Sequence, residues 1–183
     1  MENFFKTSIK SLGRTGIIFP SSKLLIKKMI NKIDFEQGRL FVEFGTGDGC
    51  LTEALLTNMT EDSILLSFEL NTDFFSYSAE KFLTDKRIRI YNENALNFDN
   101  INFLRKDVSI DYIVSSLPLT LFKDENVDIL LSKVKSRLKP NGMLFQYQYS
   151  LIRLSYFKRI FRKVDLDYAL LNIPPAFIYS CSN

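Results

Sequence analysis

The 183-residue chain contains no histidine. That absence removes Ser-His-Asp and Cys-His catalysis, histidine metal sites and the usual near-neutral proton shuttle. Cysteine is almost as scarce. Cys50 and Cys181 are the only two, far apart and outside any C-x-x-C pattern, which argues against a zinc ribbon, a redox pair or a secreted disulfide framework and for a cytoplasmic protein. Long apolar runs are also missing: nothing approaches the roughly 18 residues of a membrane span, and the start of the chain lacks the apolar core of a signal peptide. Such a protein can touch a bilayer without crossing it. No metal site is expected.

What is present is ordinary for a globular chain, with 46% hydrophobic and 25% charged residues. At this length a fold buries roughly 70% of the surface its unfolded chain exposes, so one domain spanning 1–183 is expected to hold together without disulfide or metal. The net charge of +3 conceals an asymmetry. Residues 1–40 carry eight bases against three acids, or +5, and the remainder 16 against 18, or −2. A basic extension on a mildly acidic body suggests an anionic partner: phosphate, nucleic acid or a membrane surface.

Along the chain, Phe5, Ile9 and Leu12 stand at helical spacing beside Lys6 and Lys10, so 1–12 reads as a short amphipathic helix. Gly13 and Gly16 break it, and Pro20-Ser-Ser22 starts a second basic helix to about residue 33, with Leu25, Ile26, Met29, Ile30 and Ile33 as its apolar stripe. These residues, 1–33, form a helical extension ahead of a core over 39–183. There strands are expected at 39–44, 63–69, 88–92, 111–115, 143–149, 164–171 and 176–181, with helices at 51–59, 72–83, 124–138 and 151–161. The alternation predicts an α/β fold, a doubly wound, Rossmann-like, mainly parallel seven-stranded sheet.

In such sheets ligands bind at the carboxyl ends of the strands, near the switch point where the first strand enters its turn. Here that turn is Glu43-Phe-Gly-Thr-Gly-Asp-Gly49, whose glycines let backbone approach a ligand. Glu69 ends the next predicted strand 20 residues after Gly49, where a carboxylate can accept from both hydroxyls of a ribose. Cys50 stands where a dinucleotide fingerprint needs its third glycine, and no Gly-Lys-Ser/Thr ending marks a P-loop.

Glu43-x-Gly-x-Gly-x-Gly followed by Glu69 resembles the cofactor motif of class I S-adenosylmethionine-dependent methyltransferases. The resemblance implies that the turn, through Glu43, Phe44, Gly45, Thr46, Gly47 and Gly49, holds the methionine half. Glu69 would meet the ribose, Asn94-Ala95 the adenine, and Leu70 and, from the tip of strand 4, Ser115 would also touch the cofactor. Asn94 replaces the more usual Asp, yet its amide oxygen can still accept from the adenine amino group while the Ala95 N–H donates.

The strand 4 tip, Ser115-Ser-Leu-Pro-Leu119, lacks the Asn or Asp and the aromatic carried by methyltransferases of adenine or glutamine. It is similar to the Ser-Gly-Leu-Pro-Leu of bacterial phospholipid N-methyltransferases, with Ser116 in place of glycine. Gly16-Ile-Ile-Phe-Pro-Ser-Ser22, Phe145-Gln-Tyr-Gln-Tyr149 and Asn172-Ile-Pro-Pro-Ala176 resemble further segments of that family. The implied activity is methyl transfer to the amine of phosphatidylethanolamine-type lipids at the inner membrane face. Ser115, Ser116 and Tyr149 would orient the amine, although each also suits a purely structural role. The competing resemblance is to ribosomal RNA adenine dimethyltransferases, which usually append a helical domain not expected here. A non-catalytic adaptor on the same fold is the third reading. Anionic membrane is the expected partner, met by 1–12 and by Arg153, Lys158, Arg159, Arg162 and Lys163 interleaved with Tyr156, Phe157 and Phe161. Nucleic acid is the alternative for those charges, and simple packing of both helices on the sheet is another.

Overall fold

The computed structural model describes residues 23–104, 108–169 and 175–183. The elements in order are α1 (Lys23–Ile30), β1 (Leu40–Phe44), α2 (Cys50–Asn58), β2 (Ile64–Phe68), α3 (Thr72–Lys81), β3 (Ile88–Tyr91) and a 3-10 helix (Ala95–Asn100). They continue as β4 (Ile110–Ser115), a 3-10 turn (Leu119–Leu121), α4 (Asp124–Arg137), β5 (Leu138–Gln148), α5 (Leu154–Ile160), β6 (Lys163–Ala169) and β7 (Ala176–Ser182). The strands form one sheet in the order β3-β2-β1-β4-β5-β7-β6. β7 runs antiparallel to both neighbours, and the other pairings are parallel.

The sequence of β1, Leu-Phe-Val-Glu-Phe, is buried throughout, as a central parallel strand covered on both faces must be. Alternation divides its side chains. Val42 and Phe44 join Phe68, Ile113, Leu144 and Tyr179 beneath α4 and α5. Phe41 turns the other way, to Leu65, Val114, Phe145 and Ile178 and the apolar faces of α1 and α2. Glu43 shares that second face, the only charged side chain of the strand.

All five apolar residues read as the stripe of the second basic helix are buried. The helix itself is packed on the sheet: Lys28 donates to the Tyr168 carbonyl and Lys32 pairs with Asp167 at 2.5 Å. The amphipathic segment 1–12, the Gly16–Ser22 motif and most of 172–176 lie outside the described residues.

Strand β5 begins at Leu138 rather than 143, because a register break separates the pairs Ile110↔Leu138 and Tyr112↔Met143. Pro140 is accommodated in this irregular stretch. At Gly142 a side chain would meet the Ile110 carbonyl at 2.8 Å, so the close approach requires glycine.

The basic and aromatic set at 151–163 divides in the structure. Phe157 and Phe161 are core residues, and Arg153 is 8% exposed. Arg153 donates to the carbonyls of Leu119 and Phe122 and pairs with Asp124 at 2.5 Å, holding that carboxyl below its ordinary range. Arg153 therefore fastens α5 to the turn after β4 and is no part of a membrane or nucleic-acid surface. Arg159 is paired with Asp128, while Lys158, Arg162 and Lys163 remain exposed. Arg153→Met leaves the carbonyls of Leu119 and Phe122 short of a donor, and thermal unfolding should show a loss of about 2 kcal/mol, roughly 5 °C in Tm. An unchanged Tm would contradict the fastening role.

Candidate active site

The chain order reverses between β1 and β4, which leave their shared border in opposite directions across the sheet. The crevice beyond their carboxyl ends is where residues 45–49, Glu69 and 115–119 converge. Gly45 donates its N–H to the Phe68 carbonyl at 2.9 Å, and Gly49 donates to Thr46 at 2.9 Å before α2 begins.

Gly45 and Gly47 serve different purposes. At Gly45, φ is +84° and a Cβ would lie 2.5 Å from the Ser116 hydroxyl, so the protein itself fills that side. At Gly47, φ is +55° and a Cβ would meet nothing within 4 Å. The backbone is bare there toward open space, which is what a bound ligand requires.

Glu69 is 9% exposed and spans the site. One carboxylate oxygen accepts from the Gly47 N–H at 2.9 Å, and the other from the Asn71 N–H at 2.8 Å. Asn71 in turn caps α3. Each oxygen retains a lone pair for a further donor, so the carboxylate that orders the turn can also receive two hydroxyls. Leu70, 67% exposed, stands beside it at the mouth.

Beneath the turn lies a chain of buried groups. Thr52 donates to Glu43 Oε2 at 2.8 Å and Ser67 to the same oxygen at 2.6 Å. Ser67 spends its proton there, which leaves it accepting from Thr46 at 2.6 Å. Glu43 Oε1 has no partner and is sealed from solvent. Burial pushes the Glu43 carboxyl up to about 7, helped by the charges of Glu69 and Asp48 and opposed by the two hydroxyl donors. Because this folded value lies above the ordinary 4.5, the unfolded chain gives up its proton first as pH rises. Stability contributed by the neutral carboxyl falls from about pH 4.5 to 7 and then levels off, a loss of roughly 3 kcal/mol. With no histidine to mask it, Glu43→Gln should flatten the decline of Tm between about pH 4.5 and 7. An unchanged slope would mean that another group titrates.

Other expected site residues take varied positions. The Phe44 side chain is in the aromatic core, 5.1 Å from Phe98 between ring centres, so only its backbone faces the turn. Asn94 uses its amide oxygen to cap the 3-10 helix, accepting from the Leu96 N–H at 2.9 Å. Ala95 follows it and is buried. Ser115 is 1% exposed, its hydroxyl accepting from the Leu117 N–H at 3.3 Å. The Ser116 hydroxyl donates to the carbonyls of Gly45 at 2.9 Å and Phe44 at 3.2 Å. It sews the β4 tip to the glycine turn, a structural use of the residue. Tyr149 is half-buried against Tyr147, ring centres 5.8 Å apart, on the α1 and α2 side of the core.

Thr52, Ser67 and Asn71 belong to the site but to no motif of the sequence, and Gln146 and Gln148 stand in the Phe145–Tyr149 segment with no role assigned to them there. The signal was available for three of them: Ser67 inside Ile-Leu-Leu-Ser-Phe and the paired glutamines of Phe-Gln-Tyr-Gln-Tyr are polar residues in strands that must be buried.

Gly47's open side and the Glu69 carboxylate, with a lone pair left on each oxygen, fit a cofactor carrying a nucleoside, and the fold agrees. Over 86% of this chain and 93% of its own, N-methyltransferase NodS from Bradyrhizobium japonicum superposes with a TM-score of 0.69 at 13% identity. A TehB-like SAM-dependent methyltransferase from Corynebacterium glutamicum superposes over 100% and 97%, with a TM-score of 0.64 at 15% identity. The fold and the family profile matched by residues 13–131 together define a class I S-adenosylmethionine-dependent methyltransferase. Residues 13–131 match the profile of ribosomal RNA adenine dimethylase, and the chain belongs to that family.

Among curated proteins, an ornithine lipid N-methyltransferase from Singulisphaera acidiphila is 28% identical over 181 residues, 97% of this chain and 91% of that protein. Ribosomal RNA small subunit methyltransferase A of Coxiella burnetii is 33% identical over 86 residues, 47% of this chain and 32% of that protein.

Proposed function

We propose that the enzyme transfers methyl groups to the amine of a membrane lipid, of the phosphatidylethanolamine or ornithine-lipid kind, as a peripheral protein at the cytoplasmic membrane face. One observation carries the reading. The residue after Pro118 is Leu119, fully buried in the core, so the tip of β4 offers no ring from that position to stack on a planar base. The alignment with an ornithine lipid N-methyltransferase over nearly the whole chain supports it. A second reading, methylation of adenine in RNA, is favoured by the family profile.

In this reading residues 45–49 would hold the methionine portion of S-adenosylmethionine, Glu43 would brace that turn from below through Thr52 and Ser67, Glu69 would take the ribose hydroxyls, and Asn94-Ala95 would border the adenine. The cofactor supplies an electrophilic methyl group: the amine lone pair forms the new N–C bond while the C–S electrons stay on sulfur. The chain's own part is to align the amine and keep the crevice dry. Without histidine, the proton of the incoming ammonium leaves to a carboxylate, a tyrosine or water. Exposed Lys23 and Lys27 on α1, with the bases of 1–22, supply attraction to an anionic bilayer.

The test offers labelled S-adenosylmethionine with vesicles containing phosphatidylethanolamine or ornithine lipid, and separately with ribosomal RNA. Label in the lipid fraction is expected. Label in RNA and none in lipid would replace the reading by its rival.

A further inference from the structure

At the crevice, β5 places two glutamines on one face, Gln146 and Gln148, 1% and 3% exposed. Both side-chain amides donate to one acceptor, the carbonyl of Leu117, at 3.1 and 2.8 Å. A carbonyl can only accept, so the orientation of each amide is forced: Nε2 faces Leu117 and Oε1 faces away. Neither Oε1 accepts a hydrogen bond from any described residue, and neither is sealed from solvent. A nearly buried amide oxygen without a donor is costly unless something else supplies one.

The surroundings narrow what that donor is. Ser115 lies opposite Gln146 in the sheet, which puts Gln148 beyond it at the carboxyl end of the strand, level with Leu117 at the β4 tip. Three oxygens beside them are already in use. Leu117 O holds two amide donors, Ser115 Oγ accepts from Leu117, and the Ser116 hydroxyl is turned to Gly45. The deeper Gln146 divides its amide between Leu117 O and Tyr147 O. Among the described residues, Gln148 Oε1 is an acceptor left open at the outer end.

We propose that Gln148 receives an N–H of the methyl-accepting amine through Oε1, fixing the nitrogen so that its lone pair faces the methyl group. The proposal rests on the reading of the acceptor as an amine. Its chemistry has a built-in signature. A neutral primary amine has two N–H groups and a secondary amine one, whereas a neutral tertiary amine has none to give. The contribution of Gln148 must therefore vanish at the last methyl transfer, whatever it does for the loop.

The experiment compares wild type, Gln148→Met and Gln146→Met on vesicles of phosphatidylethanolamine and of its N-methyl and N,N-dimethyl forms. Tm and calorimetric binding of S-adenosylhomocysteine are measured alongside. Gln148→Met should lower kcat at least about tenfold on primary and secondary amines and less than about threefold on the tertiary one, with cofactor affinity unchanged. Gln146→Met loses the same kind of bond to Leu117, and its effect should be equal on all three. A Gln148→Met defect that is uniform across acceptors, or that tracks a loss of cofactor affinity, would reduce Gln148 to an anchor of the loop and overturn the proposal. If wild type labels RNA instead of lipid, the lipid reading falls by itself. The inference then survives only if Gln148→Met blocks RNA methylation with cofactor affinity intact. Wild type that methylates neither acceptor overturns both.

Discussion

Glu69→Ala is expected to weaken S-adenosylmethionine binding by about 100-fold or more, the worth of two charge-assisted hydrogen bonds, and to take methyl transfer with it. Glutamine should rescue little. Both carboxylate oxygens accept backbone N–H groups, from Gly47 and Asn71, and an amide has one acceptor oxygen, so its NH₂ must face one of those donors. The variant would open the turn as well as forfeit a ribose contact. Calorimetry with the nucleoside cofactor reads the effect directly. Wild-type affinity in Glu69→Ala would mean that the carboxylate only braces the loop.

Alanine at position 47 should separate folding from binding. Its Cβ meets no protein atom within 4 Å, so the fold loses only the left-handed backbone penalty, about 1 kcal/mol. The methyl group would nevertheless occupy the space in which the cofactor lies, and binding should be lost. Gly45→Ala behaves differently. There the new Cβ sits 2.5 Å from the Ser116 hydroxyl, which must swing away and release the carbonyls of Gly45 and Phe44. With the backbone penalty added, the loss of stability should be about 2 kcal/mol. In a Gly45→Ala, Ser116→Gly double variant the clash no longer exists, and the two costs should fail to add. If Gly47→Ala binds cofactor normally, the open side of the turn is not the binding surface.

The contrast between these glycines marks how far sequence reading reaches. The turn, the strand before it and the acid 20 residues later are set by local rules, strand length and glycine placement, and the structure has them where expected. The seven strands also emerged from alternation alone, since apolar runs between helical patterns have few other ways to be buried. Which glycine faces open space is decided by Ser116, a residue 71 positions from Gly45, and no local pattern contains that contact. The same holds for Arg153. Its neighbours Lys158 and Arg162 made it look like surface charge, yet its partners are carbonyls 34 and 31 residues away. Polar side chains that serve distant backbone are the part of a site least legible in one dimension. The early start of β5 is a further instance, since the break that extends it depends on Gly142 passing close to the Ile110 carbonyl.

A crystal structure with S-adenosylhomocysteine tests the central claim most directly. The account predicts the nucleoside in the crevice beyond β1 and β4, with both ribose hydroxyls on the Glu69 carboxylate and the amino acid portion over the bare backbone at Gly47. Density elsewhere, for example in the hollow at the β3 edge lined by Arg89, Tyr91 and Phe103, with Glu69 still bonded only to Gly47 and Asn71, would contradict it.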